Sequence, residues 1–322
     1  MKHLAIKTPD DFNKQALELF QLQAEKNSLY KEYLKLLSCD VLSVSHWREI
    51  PCLPVTFFKS HAVKTRNWTE QLIFTSSGTT GAVTSRHYVK EPANYTTNFL
   101  ENFRHFYGDP ENWCVLAMLP SYVERGGSSL VYMAHGLIEK SRHPESGFYN
   151  KGDATLASLL TNLRDRKIQT LLLGVTYALV DFALAYPVNF PELIVMETGG
   201  MKGRRKEMVR EELHALLQAG FGVEKVHSEY GMTELFSQAY SKGEGKYECP
   251  PWMRVWLRDT NDPLTNAALY QTGGINVIDL ANFDTCAFIA VQDLGRVEED
   301  GRFEVLGRYD HSDLRGCSLM LA

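Results

Sequence analysis

What the chain lacks narrows it first. None of its six cysteines (Cys39, Cys52, Cys114, Cys249, Cys286, Cys317) stands in a Cys-x-x-Cys pair. Neither a zinc site nor a disulfide framework is implied, and a reducing compartment fits. No run of about 18 apolar residues occurs, so no transmembrane helix is expected. The start, Met1-Lys2-His3-Leu4-Ala5-Ile6-Lys7, lacks the long apolar core of a signal peptide. Basic residues do not outnumber acidic ones (34 against 39, net charge −5), which argues against a nucleic-acid partner held by a basic surface. The Walker pattern Gly-x-x-x-x-Gly-Lys-Ser/Thr is absent as well. The expectation is a soluble cytoplasmic protein. Its 322 residues, 44% hydrophobic and 23% charged, suffice for one large or two smaller cores.

What is present centres on Phe74 to His87. Six consecutive residues, Ser76, Ser77, Gly78, Thr79, Thr80 and Gly81, have hydroxyl side chains or none. The apolar run Leu72-Ile73-Phe74 leads in and His87-Tyr88-Val89 leads out, so the stretch reads as strand, loop, strand. Its glycines let backbone N–H groups turn toward an anion and its hydroxyls add donors, which suits polyphosphate. A surface hairpin turn rich in small residues would look the same.

Around this stretch, helical spacing predicts an N-terminal helical collar over residues 8 to 38, capped by Thr8 or Asp10. An extended segment is expected at Val55 to Lys59. Helices are predicted for Pro92 to Phe106, Ser128 to Lys140, Ala154 to Lys167, Tyr177 to Ala185 and Arg204 to Ala219, with Val209, Leu213, Leu216 and Leu217 facing in. The apolar runs Trp113–Leu119, Thr170–Gly174, Leu193–Met196 and Val223–His227 read as buried strands. This alternation implies βαβ units, a largely parallel sheet, and a ligand crevice at the strands' carboxyl ends. Two Gly-containing loops stand there, Gly199-Gly200 and Glu229 to Glu234. Beyond about Gln238 the texture becomes β-rich. The reading is an α/β chain with a helical collar (1–50), an α/β ligand-binding core (51–237) and a β-rich subdomain (238–322).

Four motifs then follow in order: Ser76 to Gly81; Glu229-Tyr230-Gly231-Met232-Thr233-Glu234; Asp293-Leu294-Gly295-Arg296; and Gly307-Arg308-Tyr309-Asp310. Together they resemble the adenylate-forming superfamily of acyl-CoA synthetases, luciferases and peptide-synthetase adenylation domains. Phe57-Phe58-Lys59-Ser60, Leu119-Pro120-Ser121-Tyr122 with Gly127 to Leu130, and the tail Ser312 to Cys317 are similar to acyl-protein synthetases of the LuxE type. The resemblance implies the superfamily's large N-terminal domain, mainly parallel sheets flanked by helices. It also implies ATP with Mg²⁺, a carboxylic (fatty) acid substrate, and an acyl group carried on a cysteine near the C-terminus.

By the same resemblance, Thr75 to Gly81 hold the β- and γ-phosphates. Gly199 and Gly200 let the backbone approach adenine, on which Tyr230 stacks within the Glu229–Gly231–Met232 loop. Thr233 donates to the α-phosphate, Glu234 is the Mg²⁺ ligand, Asp293 accepts from the ribose hydroxyls, and Arg308 binds ribose or phosphate. Cys317 is the acyl acceptor, its thiolate favoured by Arg315. Ser128, Ser129, Met133 and Met232 line the acyl pocket. Structural readings stand beside these: Glu234 as a helix-start carboxylate, Asp293 as a turn residue, Arg308 as a solvated hairpin charge, Cys317 as a small buried residue. His87, His135 and His227 read as packing or pocket-lining residues, because an anionic nucleophile needs no general base.

Two departures from the superfamily pattern follow. Arg86 is the nearest cation where a lysine is usual, and arginine also binds phosphate bidentately. Only residues 311 to 322 follow Asp310, the expected hinge, so the small C-terminal domain with its catalytic lysine is expected to be missing; Lys202 is one candidate substitute. An acyl- or aryl-CoA ligase of the phenylacetate type, or a non-catalytic nucleotide- or acyl-binding subunit of a larger complex, are the alternatives. The sequence leaves acyl chain length, the final acceptor and oligomeric state open.

Overall fold

Thr8 starts the first helix in the manner its sequence suggests. Its hydroxyl accepts from the Asp11 N–H at 3.1 Å, and the Asp11 carboxylate takes the Thr8 N–H at 3.0 Å, a reciprocal capping box. The helix runs Pro9–Lys26 and buries Phe12, Ala16 and Phe20. The computed structural model describes residues 1–76, 83–120, 126–199, 208–268 and 270–308. The helical run expected to reach residue 38 breaks at Asn27, whose side chain accepts from Tyr30 N–H and caps a second helix, Ser28–Leu36. Asn27 also donates to the Thr285 carbonyl, and Gln23 to that of Asn282. Two buried amides thereby fasten the N-terminal helices to the β-rich part.

The strands in chain order are β1 (Leu53–Pro54), β2 (Leu72–Thr75), β3 (Arg86–Val89), β4 (Cys114–Met118), β5 (Gly147–Phe148), β6 (Thr170–Val175) and β7 (Ile194–Thr198). They continue with β8 (His227–Tyr230), β9 (Ala239–Ser241), β10 (Lys246–Tyr247), β11 (Met253–Arg258), β12 (Gly273–Asp279), β13 (Phe288–Val297) and β14 (Phe303–Arg308). One sheet has the order β5-β4-β6-β7-β8-β9. It is parallel from β5 through β8, with β9 antiparallel at the edge. Every residue of β4 and β6 is buried, as uninterrupted apolar strands covered on both faces require. Helices Ser129–Lys140, Ala154–Asp165, Thr176–Ala185 and Arg210–Phe221 connect these strands.

The second sheet, β10-β14-β13-β12-β11, is antiparallel, and β1 joins β13 in parallel. The predicted β-rich texture after residue 238 is thus a meander of β11 to β14 with β10 added beside β14, while β9 belongs to the first sheet. β2 and β3 form a separate antiparallel hairpin, pairing Phe74 with His87 and Thr75 with Arg86.

Three local expectations change. Residues 57–60 are a short helix, Phe57–Ser60, not a strand. Val55 and Phe58 are both buried, and three-residue spacing suits a helical turn, whereas a strand presents alternate residues. The strand expected at 223–227 lies at His227–Tyr230 instead; Val223 and Val226 are buried three apart, out of step with a period of two. Val209 is exposed at the N-cap of Arg210–Phe221, before the helix has a face to turn inward. Residues 204–207 lie outside the described residues.

Candidate active site

The parallel sheet delivers two polar strand ends side by side. β7 closes in Glu197-Thr198 and passes into Gly199, which has φ 75°, a conformation glycine adopts without strain. β8 closes in Glu229-Tyr230. Glu229 lies inside the strand, where the Thr198 hydroxyl donates to its Oε2 at 2.6 Å. Gly231 follows, and a Cβ there would lie 2.3 Å from Glu229 Oε1, so a larger residue would have to displace that carboxylate from its place beside Thr198. Gly200 and Lys202 lie outside the described residues.

Tyr230 reaches from the end of β8 to the second sheet. Its hydroxyl donates to Asp293 Oδ2 at 2.8 Å, and its ring meets Phe303 and Tyr247 edge-on. Asp293 and Arg308 are direct cross-strand partners on β13 and β14, with Arg308 Nε 3.6 Å from Asp293 Oδ1. The Asp293 side chain is 15% exposed and that of Arg308 72%, so the carboxylate is sheltered and the guanidinium reaches solvent. Burial pushes the Asp293 carboxyl above its usual range, opposed by the Tyr230 hydrogen bond and by the charges of Arg308 and Arg258.

The turn Met232-Thr233-Glu234 leads away from Tyr230. Glu234 is 4% exposed. Burial raises its carboxyl, while the Ser85 hydroxyl, Arg308 and Lys59 act in the opposite direction. Its backbone carbonyl accepts from Asn282 Nδ2 at 2.8 Å. The turn therefore lies against the hairpin: Ser85 just precedes β3, and His87 within β3 contacts the Thr233 carbonyl.

At the mouth of the hairpin, Thr75 N–H donates to the Gly127 carbonyl at 2.8 Å. Ser76 N–H donates to the Ser85 carbonyl, and the Ser76 hydroxyl accepts from Ser85 N–H. Gly127 has φ 66°, and a Cβ on it would lie 2.7 Å from Thr75 Oγ1. Arg86 is exposed; it pairs with Thr75 and, by strand alternation, points away from the buried Ser85 and His87. Ser77, Gly78, Thr79, Thr80 and Gly81 lie outside the described residues, as do Cys317 and Arg315. Of the residues expected around an acyl group, Met133 is buried, Ser128 caps helix Ser129–Lys140, and the Ser129 carbonyl accepts from Tyr95 Oη.

Sequence reasoning passed over Ser85, Asn282 and Asp279, which hold this turn in place. Asp279 carries the clearest signal, an acid closing the apolar strand Ile275 to Ile278. A cavity of about 780 Å³ lies elsewhere, between residues 37–56 and β11–β13, with Arg48, Trp256, Asn276 and Gln292 among its lining residues. β13 lines it with Ala290, Val291 and Gln292, and none of Tyr230, Glu234, Asp293 and Arg308 does. The cavity is separate from the strand-end cluster.

Glu229 gives a pH test of this geometry. Burial first, then the nearby charge of Glu197, push its carboxyl from 4.5 up to about 7, against the Thr198 hydrogen bond. The folded state then keeps a proton that the unfolded chain releases, so stability falls as pH rises between 4.5 and about 7. The loss by pH 8 is on the order of 3 kcal/mol. Glu229→Gln removes this slope, so its stability relative to wild type should improve by about that amount from pH 5 to pH 8 in urea unfolding. Parallel pH–stability curves for the two proteins contradict a buried protonated Glu229. His3, His87 and His227, each pushed down to about 4 chiefly by burial, withdraw stability as pH falls below their ordinary value, equally in both proteins.

No protein-family model and no curated protein sequence matches the chain. Solved structures do. The chain is similar to an open conformation of 2-hydroxyisobutyryl-CoA ligase in complex with 2-HIB-AMP and CoA, at TM-score 0.70 and 12% identity over 94% of this chain and 70% of that one. The same ligase in its postadenylation state matches at TM-score 0.66 and 10% identity, over 93% of this chain and 67% of that one. ATP-bound MatB from Rhodopseudomonas palustris matches at TM-score 0.54 and 17% identity, over 76% of this chain. The match covers 49% of MatB, about half its length. Likeness at these identities is one of architecture: the chain has the α/β fold of the adenylate-forming ligases' N-terminal domain, with its β-rich part.

Proposed function

We propose that this chain activates a carboxylic acid with ATP as an acyl-adenylate and passes the acyl group to a protein thiol, with Cys317 as the first acceptor. The observation that carries the reading is the convergence, at the carboxyl ends of β7 and β8, of Tyr230, the Asp293–Arg308 pair and the buried Glu234 turn, against the hairpin that leads into the hydroxyl-rich loop. The acyl-AMP ligand of 2-hydroxyisobutyryl-CoA ligase and the ATP of MatB support it.

In this reading the acid's carboxylate oxygen attacks the α-phosphorus. The bond to pyrophosphate breaks, and no proton need be removed from the nucleophile. The protein's task is to position two anions and offset the charge at the α-phosphate. Thr75 to Gly81 take the β- and γ-phosphates, with Arg86 beside Thr75 on the solvent side. Gly199 and Gly200 flank adenine with Tyr230, Glu229 and Gly231 supporting that wall, and Asp293 accepts from ribose. Asp293 Oδ2 already accepts from Tyr230, so Oδ1 is the oxygen left for a ribose hydroxyl. Thr233 and Arg308 donate to the α-phosphate. Among the described residues no group of three or more His, Cys, Asp and Glu side chains converges to hold a metal. A single sheltered carboxylate, Glu234, fits Mg²⁺, which takes one or two carboxylates and completes its shell with phosphates and water. Bound there, the ion neutralises phosphate charge.

The test is pyrophosphate exchange against a panel of carboxylic acids, followed by trapping of labelled acyl on the protein with and without Cys317→Ser. Exchange should appear with one class of acid, fatty acids first, and a hydroxylamine-labile label should be present on wild type and absent from Cys317→Ser. Exchange without label removes self-acylation and favours the second reading, a CoA acceptor, which the CoA bound to 2-hydroxyisobutyryl-CoA ligase supports. ATP binding without exchange for any acid sinks the enzyme reading in favour of a nucleotide-binding subunit.

A further inference from the structure

His87 stands where the hairpin meets the Thr233–Glu234 turn. The side chain is fully buried. Its Nδ1 lies 2.8 Å from the Thr233 carbonyl oxygen, and its Nε2 lies 3.0 Å from Thr285 Oγ1. A carbonyl only accepts, so Nδ1 carries the proton, and neutral imidazole leaves Nε2 to accept from the Thr285 hydroxyl. Phe236, at 4.9 Å between ring centroids, and Phe58, at 5.6 Å and nearly perpendicular, pack against the ring. The imidazole is locked in one tautomer and one orientation.

The bond falls at an informative place. The Thr233 carbonyl belongs to the peptide bond that enters Glu234, and Asn282 holds the carbonyl that leaves it. Ser85, which just precedes β3, is the hydroxyl beside the Glu234 carboxylate. The entry into β3 thus reaches this turn twice, at the Glu234 side chain through Ser85 and at the Thr233 carbonyl through His87. A hydrophobic core would need only a ring at position 87. A buried imidazole costs free energy unless both nitrogens are matched, a demand that an apolar ring at this position would not make.

We propose that His87 is a positioning residue, which by donating Nδ1–H to the Thr233 carbonyl holds Glu234 at the metal and phosphate end of the site, in register with the hairpin that carries the phosphate loop. This rests on the adenylating reading and adds to it a residue outside all four motifs. Groups that orient a ligand from behind typically change metal affinity or activity about 10- to 100-fold when removed.

Two variants separate this role from packing. His87→Phe keeps a buried ring and loses both hydrogen bonds. His87→Asn places an amide N–H close to where Nδ1–H sits and so can still donate to Thr233. Pyrophosphate exchange is measured across ATP and Mg²⁺ concentrations, and Mg²⁺-dependent ATP binding is followed by calorimetry on the same proteins. We expect His87→Phe to lower kcat about 10- to 100-fold and to raise the Mg²⁺ needed for half-maximal ATP binding by a similar factor, with His87→Asn recovering most of both. His87→Phe with wild-type Mg²⁺ dependence and kcat overturns the proposal. So does His87→Asn behaving like His87→Phe while both stay folded by circular dichroism. Should wild type exchange with no acid, the adenylating reading fails by itself, and the calorimetric comparison still decides the role of His87.

Discussion

Glu234→Gln should abolish most acid-dependent pyrophosphate exchange, by about 100-fold or more, while leaving the melting temperature level or higher. The activity loss follows from the single-carboxylate site: with one protein ligand for the ion, its removal forfeits several kcal/mol of charge stabilisation at the phosphates, and about 1.4 kcal/mol is tenfold in rate. The stability result follows from burial. Glu234 is sheltered, and burial raises its carboxyl despite Ser85, Arg308 and Lys59, so in the free protein the ionised side chain is held at a cost. A neutral amide of the same shape relieves that cost. Loss of activity with a raised or unchanged melting point therefore marks a residue retained for chemistry. If Glu234→Gln keeps more than half the wild-type rate at saturating Mg²⁺, Glu234 is not the metal ligand. If it is inactive because it melts at assay temperature, the turn is structural and the pairing of the two readouts fails.

The parts of this molecule legible in the sequence are those written in local periodicity. β4 and β6 announce themselves as apolar runs, and both are buried at every position. Helix Pro92–Tyr107 begins at its proline, and helix Ser129–Lys140 begins after its Ser128 cap. The hydroxyl-rich loop is flanked by strands as expected, and their pairing makes it a hairpin connection.

Less legible were the features fixed by partners far along the chain. Asn27 ends one helix and caps the next, and the same side chain reaches Thr285; nothing in residues 8 to 38 encodes that partner. Glu229 and Tyr230 read as loop residues because they are polar. They complete β8 because Glu229 and Tyr230 pair with Tyr240 and Ala239 on the antiparallel edge strand. His87 was legible as a packing residue, and its rings do pack, but which carbonyl it would meet was not. Arg86 could be placed beside the phosphate loop by counting, yet only the register of β2 with β3 reveals that it shares its face with Thr75 and not with His87.

The largest effect on stability should come from Asp279, which no motif includes. It closes β12 and is fully buried. Oδ2 accepts from the N–H groups of Phe236 and Ser237, both at 2.8 Å, while Oδ1 accepts from Ser237 Oγ at 2.7 Å and Ala281 N–H at 3.1 Å. Three of those donors are backbone groups that cannot move away. Ser237 Oγ in turn accepts from Trp252 Nε1 and Asn98 Nδ2, so the loss spreads into a second layer. Each buried donor left without a partner costs about 1–3 kcal/mol, and Asp279→Ala strands four, so a loss above roughly 4 kcal/mol is expected. That is a large share of a typical domain's 5–15 kcal/mol. Asp279→Asn retains one accepting oxygen and turns an amide N–H toward donors, which predicts an intermediate loss of about 2 kcal/mol. Urea unfolding of the three proteins gives the order directly. The site should register the change as well, because Phe236 and Ser237 follow Glu234 by two and three residues. In folded Asp279→Asn, ATP binding should weaken at temperatures well below its melting point. Asp279→Ala within 1 kcal/mol of wild type would mean that those backbone groups find other partners, and that the turn bearing Glu234 is held from the His87 and Asn282 side alone.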